Sequence, residues 1–213
     1  VVAVSGVSYG SYVLQKVTKP QGGVPLAAIL GGAYSSTVTT LVLARRAARE
    51  HRPHLFAGGI LMASGMMYLR LAALVVLFNA PLGARLAPAF TLLALAGMAG
   101  GFMWSRLPDD GTQEIDRRFQ PANPLEMKTA LLFAALFLAM LIATRLAAIY
   151  LGKAGVYVLG ALMGLTDVDP YIMGMTQSAR TVTPLTVAAI GILIAAASNN
   201  AAKGVYAFAL ADR

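Results

Sequence analysis

The sequence predicts an all-α integral membrane protein of about seven transmembrane helices, built as two three-helix repeats plus a linking helix. Three observations carry this expectation. Hydrophobic residues make up 58% of the 213 positions against 12% charged, and the mean hydropathy is +0.69, far from the balance of a water-soluble domain. Apolar runs of roughly 20 residues, the length that crosses a hydrocarbon core, recur along the chain. A glycine-marked segment near the start also returns in the second half.

The spans are bounded by turn and charge signals. Residues 1–17 end before Thr18-Lys19-Pro20-Gln21-Gly22-Gly23, residues 24–44 stop at Arg45-Arg46, and residues 54–78 give way to Asn79-Ala80-Pro81-Leu82-Gly83. Residues 86–104 form the fourth span. A polar stretch, 105–123, follows with Asp109, Asp110, Glu114, Asp116, Arg117 and Arg118 and reads as an exposed linker. Residues 124–151, 154–175 and 184–211 complete the set. The domains expected are therefore 1–79, a first repeat; 80–123, the linking helix and loop; and 124–213, a second repeat. The chain opens on Val1 inside an apolar run, as expected of part of a longer polypeptide.

Charge argues topology rather than a nucleic-acid partner. The net charge is +8, but the basic residues fall between spans, without the stripe of interleaved aromatics that nucleic acid would need. With seven crossings, one side carries Arg45, Arg46, Arg49, Arg52, Arg106, Arg117, Arg118, Lys128 and Arg180, and the other Lys16, Lys19, Arg85, Lys153 and Arg213. That imbalance puts the N-terminus in the cytoplasm, in a bacterial inner membrane. Cysteine is absent, which removes disulfides, thiolate metal sites and cysteine nucleophiles.

The repeat superposes residues 23–32 on 155–164 at a shift of 132, with Gly23, Val24, Leu30 and Gly32 matched identically. Four intervening crossings would give the copies the same orientation; a re-entrant fourth helix would invert them. The shift places Ser35-Ser36-Thr37-Val38-Thr39-Thr40 opposite Asp167-Val168-Asp169-Pro170. An intramembrane carboxylate is costly and marks a cavity, a partner charge or a transported species. Pro170 lacks an N–H and disfavours helix at Asp169, so the span is expected to unwind there and expose carbonyls beside two buried acids. The candidate ion-binding set is Asp167, Asp169, Thr166, Ser35, Ser36, Thr37, Asn199 and Asn200. Arg70 and Lys203, aligned by a shift of 133, are the expected counter-charges, with a salt bridge to the acids as the resting state. The alternative is a tied-off kink with hydroxyls bonded back to their own helix. Arg145 reads as snorkelling and His51 and His54 as headgroup-level residues; the methionines and the helix glycines read as packing.

Gly31-Gly32-Ala33-Tyr34-Ser35-Ser36-Thr37 with Leu43-Ala44-Arg45-Arg46, then Gly164-Leu165-Thr166-Asp167-Val168-Asp169, then Asn200 with Lys203, resembles the membrane domain of unknown function 4010 family over nearly the whole chain. The resemblance implies an association with an N-terminal MgtC/SapB-type membrane domain; Pro170 and Asn199 depart from the pattern. It identifies no cofactor or substrate. The function expected is a transporter or channel for a small ion, a cation or a proton-coupled solute, with the bilayer as partner and a homo-oligomer as an option. The alternative is a non-transport membrane subunit. No enzyme is expected, since the two acids share one segment and no metalloprotease or serine-hydrolase motif occurs.

Overall fold

The computed structural model describes residues 23–109 and 127–211, which are helices joined by short turns, with no strand among them. Seven helices follow in order: α1 (Gly23–Glu50), α2 (Pro53–Phe78), α3 (Ala80–Trp104), α4 (Met127–Tyr150), α5 (Gly152–Gly164), α6 (Val168–Ser178) and α7 (Leu185–Ala211). The span expected at 1–17 and the linker at 110–123 lie outside the described residues. Four helices, α1, α2, α3 and α7, are long and apolar enough to cross a membrane. Large apolar side chains such as Leu92, Met103, Tyr150 and Phe208 stand on the surface, as lipid-facing residues do.

Two segments read from hydropathy as single crossings are not straight rods. Residues 154–175 are two helices, α5 and α6, separated at Leu165–Asp167. The break precedes Asp169 rather than falling on it: Pro170 is the third residue of α6, in the first turn, where its missing N–H costs no helical bond. In α1, Ser35 has φ −156° and ψ 103°, an extended residue inside an otherwise helical run.

The described residues form two compact units, one of 71–89 and 127–202 and the other of 23–70, 90–109 and 203–211, so the division passes through α2, α3 and α7. In the first, C-terminal unit, α4 packs along both α5 and α6. The Tyr171 hydroxyl, buried in α6, donates to the Val156 carbonyl near the start of α5 at 2.8 Å. Fifteen residues of continuous helix would hold those positions about 22 Å apart, beyond the reach of one tyrosine side chain. The limbs therefore fold back on each other as a helical hairpin. Leu141 and Arg145 of α4 share a cavity with Gln177, Ser178, Arg180 and Thr181 at the end of α6. At the same unit's margin, Asn79 Nδ2 donates to the Thr176 carbonyl (3.1 Å), Asn79 Oδ1 accepts from Leu82 N–H (3.2 Å), and Arg85 donates to Thr186 (2.9 Å). Asn79 alone makes the turn, since α3 already begins at Ala80. The end of α2 and the start of α7 thus lie together.

The N-terminal unit holds a second folded pair. A Cβ placed on Gly59 of α2 would touch Val24 and Ala28 from the first limb of α1 and Leu43 from the second. Val24, Ala28, Leu43, Ala47 and Phe56 form one buried cluster. Val24 and Leu43 would be about 28 Å apart along a straight helix, so α1 doubles back at Ser35. Helices α2 and α3 then approach closely through Gly58 against the Gly101 carbonyl and Gly65 against Ala94 and Gly97, which bears out packing as the role of these glycines.

His54 has an acid partner that its sequence neighbourhood did not suggest. Asp109 accepts from the His54 and Leu55 backbone N–H groups at 2.9 and 3.0 Å, capping α2, and one oxygen lies 2.8 Å from His54 Nδ1. Burial pushes the Asp109 carboxyl up, but the Leu55 and His54 donors outweigh it and hold it below the usual aspartate value. At the second limb of α1, Arg46 pairs with Glu50 at 2.8 Å and stacks over Phe56.

Candidate functional site

The hairpin break of the C-terminal unit gathers the predicted residues Thr166, Asp167, Asp169 and Asn199. α5 ends in a tightened turn, with Leu165 and Thr166 N–H donating to the Leu162 and Met163 carbonyls. Asp167 then turns extended (φ −129°, ψ 112°) and caps α6, its Oδ1 accepting from Asp169 N–H at 3.2 Å. The two acids therefore differ, where the sequence reading had both buried: Asp167 and Thr166 are exposed, whereas Asp169 is 7% exposed. Asp169 also occupies the first turn of α6, where the helix dipole favours a negative charge.

Asn199 on α7 faces this break. It is 3% exposed, and its Nδ2 donates to the Gly164 carbonyl, the last of α5, at 3.0 Å. Its Oδ1 is buried and accepts no hydrogen bond. A buried amide oxygen in that state costs about 1–3 kcal/mol, so it calls for a reason. The preceding residue, Ser198, donates to the Ala161 carbonyl at 2.7 Å, and Asn200 is half-buried. Gly164 is required here because a Cβ would strike the Ala195 carbonyl and Ser198.

The N-terminal unit holds Ser35, Ser36, Thr37, Arg70 and Lys203. Ser35 caps the second limb of α1 weakly, accepting from Val38 N–H at 3.4 Å. Thr39 and Thr40 bond back to the Ser35 and Ser36 carbonyls at 2.9 and 2.8 Å, the structural alternative foreseen for this hydroxyl run. Ser36 is buried and Thr37 half-buried. Arg70, buried, directs Nη1 to the Tyr34 carbonyl at 3.0 Å and that of Ala33 at 3.5 Å, the last two before the break. The Lys203 ammonium is buried, with Met67 Sδ at 3.0 Å. Sequence reasoning treated Met67 only as filler, and a thioether acceptor carries no distinguishing local signal.

The two breaks correspond in number and shape. Ser35 and Asp167 are related by 132 (35 + 132 = 167), and both are extended caps. Gly32 abuts the Ala63 backbone and Gly164 that of Ala195, and both positions again differ by 132 (32 + 132 = 164; 63 + 132 = 195). α2 shifted by the same amount becomes 185–210, matching α7. Among the described residues no three His, Cys, Asp or Glu side chains converge as a metal cluster.

A chain whose described residues are helical, with four helices among them long and apolar enough to cross a membrane, belongs in the class of membrane proteins. Within it the chain is a member of the family described as Domain of unknown function (DUF4010), whose model matches residues 2–211. It is similar to an "Uncharacterized protein" of Aquifex aeolicus (strain VF5), 27% identical over 195 residues, covering 89% of this chain and 83% of that one. No solved structure matches.

Proposed function

We propose that the chain is a membrane transporter or channel for a small monovalent cation, an alkali ion or a proton, and that the break between α5 and α6 is its binding site. The observation that carries this reading is the combination of buried Asp169 with the unsatisfied Oδ1 of Asn199, held at the Gly164 carbonyl. One carboxylate with neutral oxygens suits a single positive charge, and half-helix ends supply such oxygens in transporters.

The folded-back limbs support the same reading. α5 has 13 residues and α6 has 11, about 20 and 16 Å, each short of a roughly 30 Å core. They are re-entrant: both ends of the pair open on one side of the membrane. The same holds for the limbs of α1. Backbone that leaves helical geometry within a bilayer is tolerated where protein buries it or a water-filled cavity meets it. The end of α2 lies beside the start of α7, which supports reading these two helices as counterparts in an internal repeat. Seven straight crossings therefore overcount the spans, and Arg180 moves to the side of Lys153. The end bearing Arg45, Arg46, Arg49, Arg52 and Arg106 is the cytoplasmic one.

The test is flux in proteoliposomes, with tracer sodium and rubidium and a pH-sensitive dye. Wild-type protein moves one of these ions, and Asp169→Asn, folded by size-exclusion chromatography, loses at least 90% of that flux, on the order of 1.4 kcal/mol per decade of rate. Flux unchanged in Asp169→Asn contradicts the assignment.

A further inference from the structure

An arginine beside the end of a helix ordinarily serves that helix by donating to its last carbonyls. Arg145 and Arg180 stand at the C-terminal end of α6, and that work is already done there. The Met175 carbonyl accepts from the Ala179 backbone N–H at 2.9 Å, and that of Thr176 from Asn79 Nδ2 at 3.1 Å. The Gln177 carbonyl accepts from the Arg180 backbone N–H at 3.1 Å, and that of Ser178 from the N–H groups of Thr181, Val182 and Thr183 at 2.9–3.1 Å. The last turn of α6 is thus satisfied without either guanidinium. No carboxylate neutralises them either: among the described residues neither arginine forms an ion pair. Glu50 pairs with Arg46 and Asp109 with His54 in the other unit, while Asp167 and Asp169 sit at the start of α6, roughly 12 Å or more from Gln177 along the helix.

Both arginines instead line one cavity of about 410 Å³, with Leu141, Gln177, Ser178 and Thr181. Small-molecule sites span about 300–1,000 Å³, so a whole headgroup fits where a lone oxyanion would leave space. Two positive side chains, an amide and a hydroxyl border it, and guanidinium meets phosphate oxygens in a two-pronged contact. The Ser178 and Thr183 hydroxyls hold each other at 2.7 Å, which braces the turn carrying Arg180 and Thr181. Beside the cavity, Leu138, Ile142, Leu146 and Ile149 of α4 recur at helical spacing and are exposed. We propose that this cavity binds the phosphate of an anionic phospholipid headgroup, with Arg145 and Arg180 as its paired anchors and the acyl chains along the α4 stripe. A basic pocket between membrane helices is suited to such a headgroup. The bound lipid fastens the end of α6 to α4. The site lies at the opposite end of α6 from the α5–α6 break and does not depend on a cation binding there.

The experiment measures binding of radiolabelled phosphatidylglycerol to the detergent-purified chain, competed by unlabelled phosphatidylglycerol, phosphatidylcholine or inorganic phosphate at matched ionic strength. Wild type prefers phosphatidylglycerol to phosphatidylcholine, and inorganic phosphate displaces no more label than chloride does. Arg145→Gln and Arg180→Gln each weaken binding about 5-fold, and the double variant, roughly 30-fold weaker, loses the preference. Arg45→Gln with Arg49→Gln removes the same charge from exposed positions of α1 and keeps the wild-type preference, which separates the cavity from general attraction to a basic protein. Arg145→Lys with Arg180→Lys retains the charges for folding but not the two-pronged contact, and binds more weakly than wild type. Equal affinity of wild type for the two lipids, or an unchanged preference in the double Gln variant, overturns the proposal. Displacement of the label by inorganic phosphate does so too, since the cavity would then be a free-anion site. Failure of every arginine variant to fold on size-exclusion chromatography would make the pair structural and would also overturn it.

Discussion

Asn199→Leu separates the structural role of this side chain from its proposed role as a ligand. Two structural terms oppose each other. Removing Nδ2 strips the Gly164 carbonyl of a 3.0 Å donor, costing about 1–3 kcal/mol for a buried acceptor. The same substitution eliminates a buried amide oxygen that accepts nothing, relieving a penalty of the same order. Leucine has the same number of side-chain heavy atoms as asparagine and is bulkier, so no cavity opens at the site. The net change without ligand is about 1 kcal/mol or less, a shift in Tm of no more than about 4 °C for a chain of this size. The ligand term has no such compensation. A cation at 100 times its Kd stabilises the wild type by about 2.7 kcal/mol, roughly 5–11 °C, and Asn199→Leu forfeits that gain. The assay is thermal unfolding followed by size-exclusion chromatography, in alkali chloride against N-methylglucamine chloride at matched ionic strength so that screening is constant. Equal cation-dependent shifts in wild type and variant refute the ligand role. A variant that loses more than about 3 kcal/mol in cation-free buffer refutes the compensation argument.

Two further outcomes follow from the packing. Tyr171→Phe removes the buried 2.8 Å bond to Val156 that ties α6 back on α5, and about 1–2 kcal/mol of stability should go with it, read as faster amide exchange across 153–160 and 168–175. Asp109→Asn keeps an acceptor at the start of α2 but removes its charge, costing about 1–2 kcal/mol near neutral pH. Because the folded Asp109 carboxyl lies below the ordinary aspartate value, its contribution is full above about pH 4 and fades as pH falls through the lowered value. Unfolding curves of wild type and variant therefore separate at about pH 7 and converge as pH falls through the lowered value.

The apolar elements were legible because hydropathy reports which residues leave water, and α2, α4 and α7 begin and end within a few residues of their expected bounds. The position of the second break was nearly legible too, since two acids and a proline interrupt an apolar run at residues 167–170. Direction was not. A 24-residue apolar segment that crosses and one that turns back have the same composition, and what distinguishes them is Tyr171 reaching Val156, or Val24 sharing Gly59 with Leu43. Whether a segment crosses or returns depends on that missing information. The division of labour between the acids was likewise out of reach, because capping by Asp167 depends on one extended residue. Asp109 and His54, 55 positions apart, meet only through the return of α3 beside α2.

The re-entrant hairpin is the claim on which the rest stands, and the absence of native cysteine makes it accessible to a single measurement. Leu151→Cys and Thr181→Cys place thiols at exposed positions just before α5 and just after α6. In sealed membrane vesicles of one orientation, a membrane-impermeant maleimide should label both variants from the same side. Labelling of the two from opposite sides would mean that residues 152–178 cross the bilayer, and would contradict the account.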